Sequence, residues 1–243
     1  MATALANDTP NREDEVLNLN TVFDDLKKAQ ESGDQQAIFS AQRLVDHVKK
    51  TLTVFYNEVY VPTFPKPEER QPLEYWMDRL EGKGGEGLSK LPVELITVSG
   101  KGLTDTYAPA QITAMTLNIY FPESQTALAH YFLKDNSLPQ KVNTADLLRG
   151  SVEALETTAA KFGGTLKGMF CECDDPKKVS AADSAIDPTL RLRLFQRTAG
   201  ARVINIDGEE PYIQAHINKG SGTCDILLLL TCALADGSIV FPN

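Results

Sequence analysis

From residue 127 to residue 173 the chain reads as an apolar strand, a long amphipathic helix and a second apolar strand. The first run, 127–134, carries His130, Tyr131 and Phe132. Over 145–162, Leu148, Val152, Leu155, Ala159 and Phe162 recur at helical spacing, and Gly163-Gly164 ends the pattern. The second run covers 165–173. Two strands separated by one helix imply a parallel pair joined by a right-handed crossover, so the chain must build a sheet with a helix on at least one face.

The flanking segments extend that sheet. Residues 1–16 are polar and acidic and read as a disordered tail. Helices are expected over 21–31, stopped by Gly33, and over 34–49, with Ile38, Ala41, Leu44 or Val45, and Val48 on one stripe. Residues 51–56 (Thr-Leu-Thr-Val-Phe-Tyr) read as a strand, and Pro62, Pro65 and Pro67 break the chain after it. A helix over 71–80 holds the only tryptophan, Trp76. Gly82, Gly84, Gly85 and Gly87 mark a connector. Residues 93–99 and 112–121 read as antiparallel neighbours. Asp187-Pro188 opens a further helix, with Asp as N-cap and Pro at the first helical position. Strands are expected over 201–207 and 224–234. The fold class is therefore α/β, in the sense of an α+β mixed sheet of six or seven strands with helices on both faces. Its organisation reads as a tail (1–16), a helical N-terminal extension (17–50) and one domain (51–243).

The net charge of −9 over 243 residues argues against nucleic acid and against an anionic membrane face, both of which call for clustered Lys and Arg. The longest apolar run, from Ile226 to about Leu234, falls far short of the ~20 residues a membrane helix needs. The N-terminus has no signal-peptide pattern, so the expectation is a cytoplasmic chain. Cys171, Cys173, Cys224 and Cys232 lack the spacing of a zinc site and read as reduced thiols, with no metal expected.

Chemistry has one natural seat. The turn Leu138-Pro139-Gln140-Lys141-Val142-Asn143-Thr144-Ala145-Asp146 leads from a strand into a helix. Backbone N–H groups at a helix start face outward at the positive end of its dipole and suit an anion such as a pyrophosphate. The plain alternative is that Asn143 or Thr144 only caps the helix.

That turn resembles the coenzyme A motif of the GNAT superfamily of N-acetyltransferases, Gln/Arg-x-x-Gly-x-Gly/Ala, here Gln140-Lys141-Val142-Asn143-Thr144-Ala145. The order of elements is similar over about residues 50–235, as are the words Phe55-Tyr56, Phe64-Pro65 and Cys171-Glu172-Cys173-Asp174-Asp175-Pro176. The resemblance implies a splayed parallel pair of strands at 127–134 and 165–173. It also implies acetyl-CoA as co-substrate, held by the backbone of Tyr131, Phe132 and Leu133 and by Gln140 through Ala145. The expected reaction is direct attack of a primary amine, on a small molecule or a protein, on the thioester. Two positions depart from the pattern. Asn143 stands for the family's first glycine. Phe195 stands where a tyrosine acid is often found, and it has no proton to give.

Glu172, near the end of the second parallel strand, is the candidate base, with Glu94 and Glu123 behind it. Tyr212 is the candidate acid for the departing thiolate, with Tyr107 as a second; each also reads as an ordinary packing tyrosine. Cys171 with His130 on the adjacent strand would be the dyad of a cysteine hydrolase. A GNAT-like domain that binds without catalysis is the remaining alternative. The apolar last strand could pair across a homodimer.

Overall fold

The computed structural model describes residues 14–65, 67, 70–83, 92–138, 144–182, 187–198, 201–204 and 227–232. Its seven strands form one sheet in the order β1-β2-β3-β4-β5-β7-β6. They are β1 Glu15–Asn18, β2 Val93–Lys101, β3 Gln111–Phe121, β4 Thr126–Lys134, β5 Gly168–Asp174, β6 Arg202–Val203 and β7 Leu227–Cys232. Among these strands β4 and β5 are the parallel pair, and every other neighbouring pair is antiparallel. The expected crossover is thus in place, carried by α5, Thr144–Lys161.

The sheet begins earlier than the pattern suggested. Glu15–Asn18 pairs with Thr97–Gly100 as an edge strand, and the chain then turns directly into α1, Leu19–Ser32. Asn18 caps that helix by accepting from the Asn20 amide, and Gly33, at φ 72°, closes it in the left-handed region. The Asn20 side chain donates to the Glu94 carbonyl (2.7 Å) and accepts from the Ile96 amide (3.0 Å), which pins α1 to β2.

Residues 51–56, expected as a strand, are the end of α2 and the start of the turn after it. Asp34 caps α2, and the helix runs unbroken over Gln35–Phe55. Its buried stripe of Val45, Val48, Leu52 and Phe55 continues straight through the β-branched residues. The hydroxyls of Thr51 and Thr53 return to the carbonyls of His47 and Lys49, four residues back. Burial of one face outweighs local β preference here. The chain leaves α2 through one wide turn, Tyr56–Tyr60, and a short helical turn, α3, Val61–Thr63. The segment α4, Leu73–Leu80, follows.

Two apolar cores lie on opposite faces of the sheet. One collects α1, α2 and α4 over Ile96, Val98, Met115, Leu117, Tyr131 and Leu133, with Trp76 fully buried at its centre. The other packs Leu155 and Ala159 of α5 with Tyr120, Ala127, Met169, Cys171, Cys173 and Leu230. Leu192 and Phe195 of α6, Pro188–Thr198, join it. Asp187 caps α6 as expected, accepting from the amides of Thr189 and Leu190.

The inward face of α5 differs from the expected stripe. Leu147, Ser151, Ala154, Leu155, Thr158 and Ala159 are buried, whereas Phe162 is 47% exposed. The reason is a polar floor. Thr116 and Asn118 of β3 hydrogen-bond Ser151 at 2.9 and 2.5 Å, so a serine faces inward where an apolar count places leucine.

Candidate active site

The parallel ladder between β4 and β5 is short. It runs from Thr126↔Gly168 to Ala129↔Cys171 and ends there. Both strands continue, each held by its outer neighbour. β4 stays paired with β3 up to Lys134↔Ala114, and β5 stays paired with β7 up to Asp174↔Leu227. The two halves of the sheet therefore part company along residues 130–134 and 172–174.

The cause is visible in the register. Ala129 faces Asn118 and Tyr131 faces Leu117, so His130 is an extra residue, a β-bulge. A bulge bends its strand and raises local twist, which turns β4 away from β5 from that point onward. It also resets which way the side chains point. Ala127 lies in the core beneath α5, whereas Tyr131 and Leu133 lie in the core beneath α1 and α2. Tyr131 packs edge-on against Tyr60 and Phe64, each at 5.4 Å between ring centroids. Tyr131 and Leu133 are buried and Phe132 is 38% exposed on the other face. Tyr131 and Leu133, with side chains committed to the core, can offer a ligand only backbone.

Beyond its far end β4 leads toward the first turn of α5. The anion-site residues Gln140, Lys141, Val142 and Asn143 lie outside the described residues. Thr144 and Ala145 open α5, but their side chains lie outside the description, as does Tyr212.

The structure separates the other candidates. Glu172 sits on β5 opposite Leu229 of β7, between Cys171 and Cys173. Those cysteines point into the α5-side core, so strand alternation turns Glu172 to the other face, the one that Tyr131 faces. Extending the β4–β5 register by one residue sets it level with His130. Glu94 is buried on β2, where the Tyr75 hydroxyl donates to it at 2.6 Å. Burial pushes its carboxyl above the usual range. Glu123 is exposed in the β3–β4 turn, at the opposite end of β4 from residues 131–134. Tyr107 is 84% exposed beneath the Arg43 guanidinium of α2.

The cysteine dyad does not form. Cys171 is buried on the α5 side of the sheet, whereas His130 meets Tyr131 edge-on at 4.2 Å between ring centroids and neither of its ring nitrogens has a hydrogen-bond partner. Cys173 is likewise buried, and that burial raises its thiol to about 11. The Cys173 thiol therefore lacks the lowered pKa of a nucleophile's setting. Phe195 is core packing under α6.

A sheet ordered 1-2-3-4-5-7-6, with its parallel pair splayed by a bulge in the first strand of that pair, decides the architecture. That is the architecture which the resemblance to the GNAT superfamily implies. No family model matches the sequence, and no curated protein matches it. Solved structures of similar shape include an acetyltransferase assigned to the GNAT family from Bacteroides thetaiotaomicron (TM-score 0.46, 15% identity, 74% of this chain and 80% of that one). Another is the PaiA N-acetyltransferase of Thermoplasma acidophilum in complex with coenzyme A (TM-score 0.42, 10% identity, 91% and 99%). A third, a GNAT-family structure from Desulfovibrio desulfuricans, has a TM-score of 0.39 at 9% identity over 90% and 97%. At these identities and TM-scores the likenesses decide nothing about this chain. No described helix is long and apolar enough to cross a membrane, and no described group of three or more His, Cys, Asp or Glu could hold a metal ion.

Proposed function

We propose that this chain transfers an acyl group, acetyl first among them, from coenzyme A to a primary amine. The observation that carries the reading is the parting of β4 from β5 at His130, with β4 running on toward the start of an 18-residue helix. A pantetheine arm is a slender chain with amide groups. It suits a gap between two strands, where the edge of Phe132–Lys134 can meet its amides as a third strand would. The pyrophosphate would then fall to the segment Gln140–Ala145 ahead of α5.

In this reading the thioester comes to rest by the bulge. Glu172, level with the bulge on β5, receives the proton of the incoming ammonium and leaves a neutral amine to attack. Tyr212 is the group proposed to protonate the thiolate. The acceptor is a small-molecule or protein amine, and the cell compartment proposed is the cytoplasm.

The test is thermal melting of the full chain with acetyl-CoA, followed by thiol release against a simple alkylamine, a polyamine and a lysine-bearing peptide. Binding to the folded state alone stabilises by ~2.7 kcal/mol at one hundred times the dissociation constant. No melting shift at millimolar acetyl-CoA contradicts the reading.

A further inference from the structure

His130 is the extra residue of the β4 bulge, and it stands where the β4–β5 ladder ends. Both ring nitrogens are shut off from solvent, and neither has a hydrogen-bond partner in the protein. A neutral imidazole has one donor and one acceptor, and leaving both unmet in a buried place is unfavourable. A protein keeps such a residue at a ligand site when the ligand completes it. The ring is held in place by its edge contact with Tyr131, which Tyr60 and Phe64 fix in turn. Its position is therefore set by the core, although its nitrogens are not engaged by it.

We propose that His130 touches the acceptor amine and takes the proton which that nitrogen loses as the new C–N bond forms. This rests on the acyltransfer reading and assigns a proton acceptor within the same site. The amine lone pair attacks the thioester carbon, and the carbonyl pair moves onto oxygen. The nitrogen, now cationic, gives its proton to the imidazole. The carbonyl re-forms, the C–S pair leaves with sulfur, and the thiolate takes its proton from Tyr212, which water re-protonates. His130 gives up its proton as the products leave and solvent enters the gap, so the sum is amine plus thioester giving amide plus thiol. Burial lowers the His130 pKa to about 4, which keeps the ring uncharged and able to accept at neutral pH. Glu172, level with His130 across the gap, then acts on the ammonium before attack and His130 on the adduct after it.

The test uses the full chain with acetyl-CoA as donor and n-butylamine as acceptor, reading free CoA thiol. H130Q preserves volume and hydrogen bonding but cannot shuttle a proton, and H130A opens a space that imidazole can enter. All three proteins are expected to show the same melting shift with acetyl-CoA. Thiol release should fall about 100-fold in both variants, at the low end of what a positioned acid–base group supplies. Added imidazole should restore part of the activity of H130A and none of H130Q. Undiminished release by H130Q overturns the role of His130 and leaves acyl transfer standing. Loss of the melting shift in a folded H130Q also overturns it, since His130 would then hold the donor. A wild-type chain that shows no shift, or a shift without thiol release, overturns the acyltransfer reading and this proposal with it.

Discussion

Glu94 is a carboxyl placed under α4 with one oxygen satisfied by Tyr75 and the other, Oε2, without a partner. Burial is the main cause of its raised pKa, and the Tyr75 hydrogen bond and Arg79 only offset part of it. A group whose folded pKa lies above its unfolded one contributes its stability below the unfolded value and loses it as pH rises through the folded value. E94Q keeps an acceptor for Tyr75 and removes the ionisation. It should therefore gain on the wild type as pH climbs from 4 to 8, reaching about 1 kcal/mol, within the cost of an unmet buried polar group. Urea unfolding at the two pH values checks this, and a difference that shrinks toward pH 8 would contradict it. At this scale the sequence offered little. Glu94 could be named as a carboxylate, but its burial comes from α1 and α4 closing over β2. His130 left one trace: Ala127 and Ala129 are small while Tyr131 and Leu133 are large at the same parity. A strand that changes faces at a bulge gives that trace, but so does a strand with a tapering core, and only the pairing with β3 decides between them.

Elements with a strong local signal are legible in the sequence itself. The crossover of β4, α5 and β5 followed from periodicity, and α1 and α6 from their caps and stops. The sequence is silent where a partner, not the segment, sets the state. β1 is four residues with a polar end at each side and is a strand because β2 offers an edge. Residues 51–55 are helical because their inward face completes the α2 stripe. The polar floor under α5 rotated its buried face away from a simple count of leucines. The same closeness explains Gly150. A β-carbon there would meet Val16 Cγ1 at 2.5 Å, so α5 approaches β1 as nearly as it does only because that position is bare. Alanine in mid-helix ordinarily gains up to about 1 kcal/mol over glycine. Here G150A should instead destabilise by about 1 kcal/mol through overpacking. V16A should relieve it, making the double variant more stable than the two single changes summed. Denaturant midpoints for the three variants test this, and strict additivity would show that α5 simply shifts.

Seen whole, the molecule is two partial sheets joined by four residue pairs. β1 to β4 are backed by α1 and α2 on one face and by α5 on the other. β5 to β7 carry α6. Each half keeps its own ladder, so the gap between them can admit a ligand without breaking a strand pair that the fold needs. The net charge of −9 suits the approach of a cationic amine more than that of a polyanion, and leaves the anionic end of the donor to be met locally. The most direct measurement is amide hydrogen exchange along β4 and β5 with and without acetyl-CoA. The amides of Tyr131–Lys134 that point toward β5 should gain protection when the donor is added, while the paired stretch Thr126–Ala129 should not change. Protection that appears elsewhere and leaves residues 131–134 untouched would contradict a thioester seated in that gap.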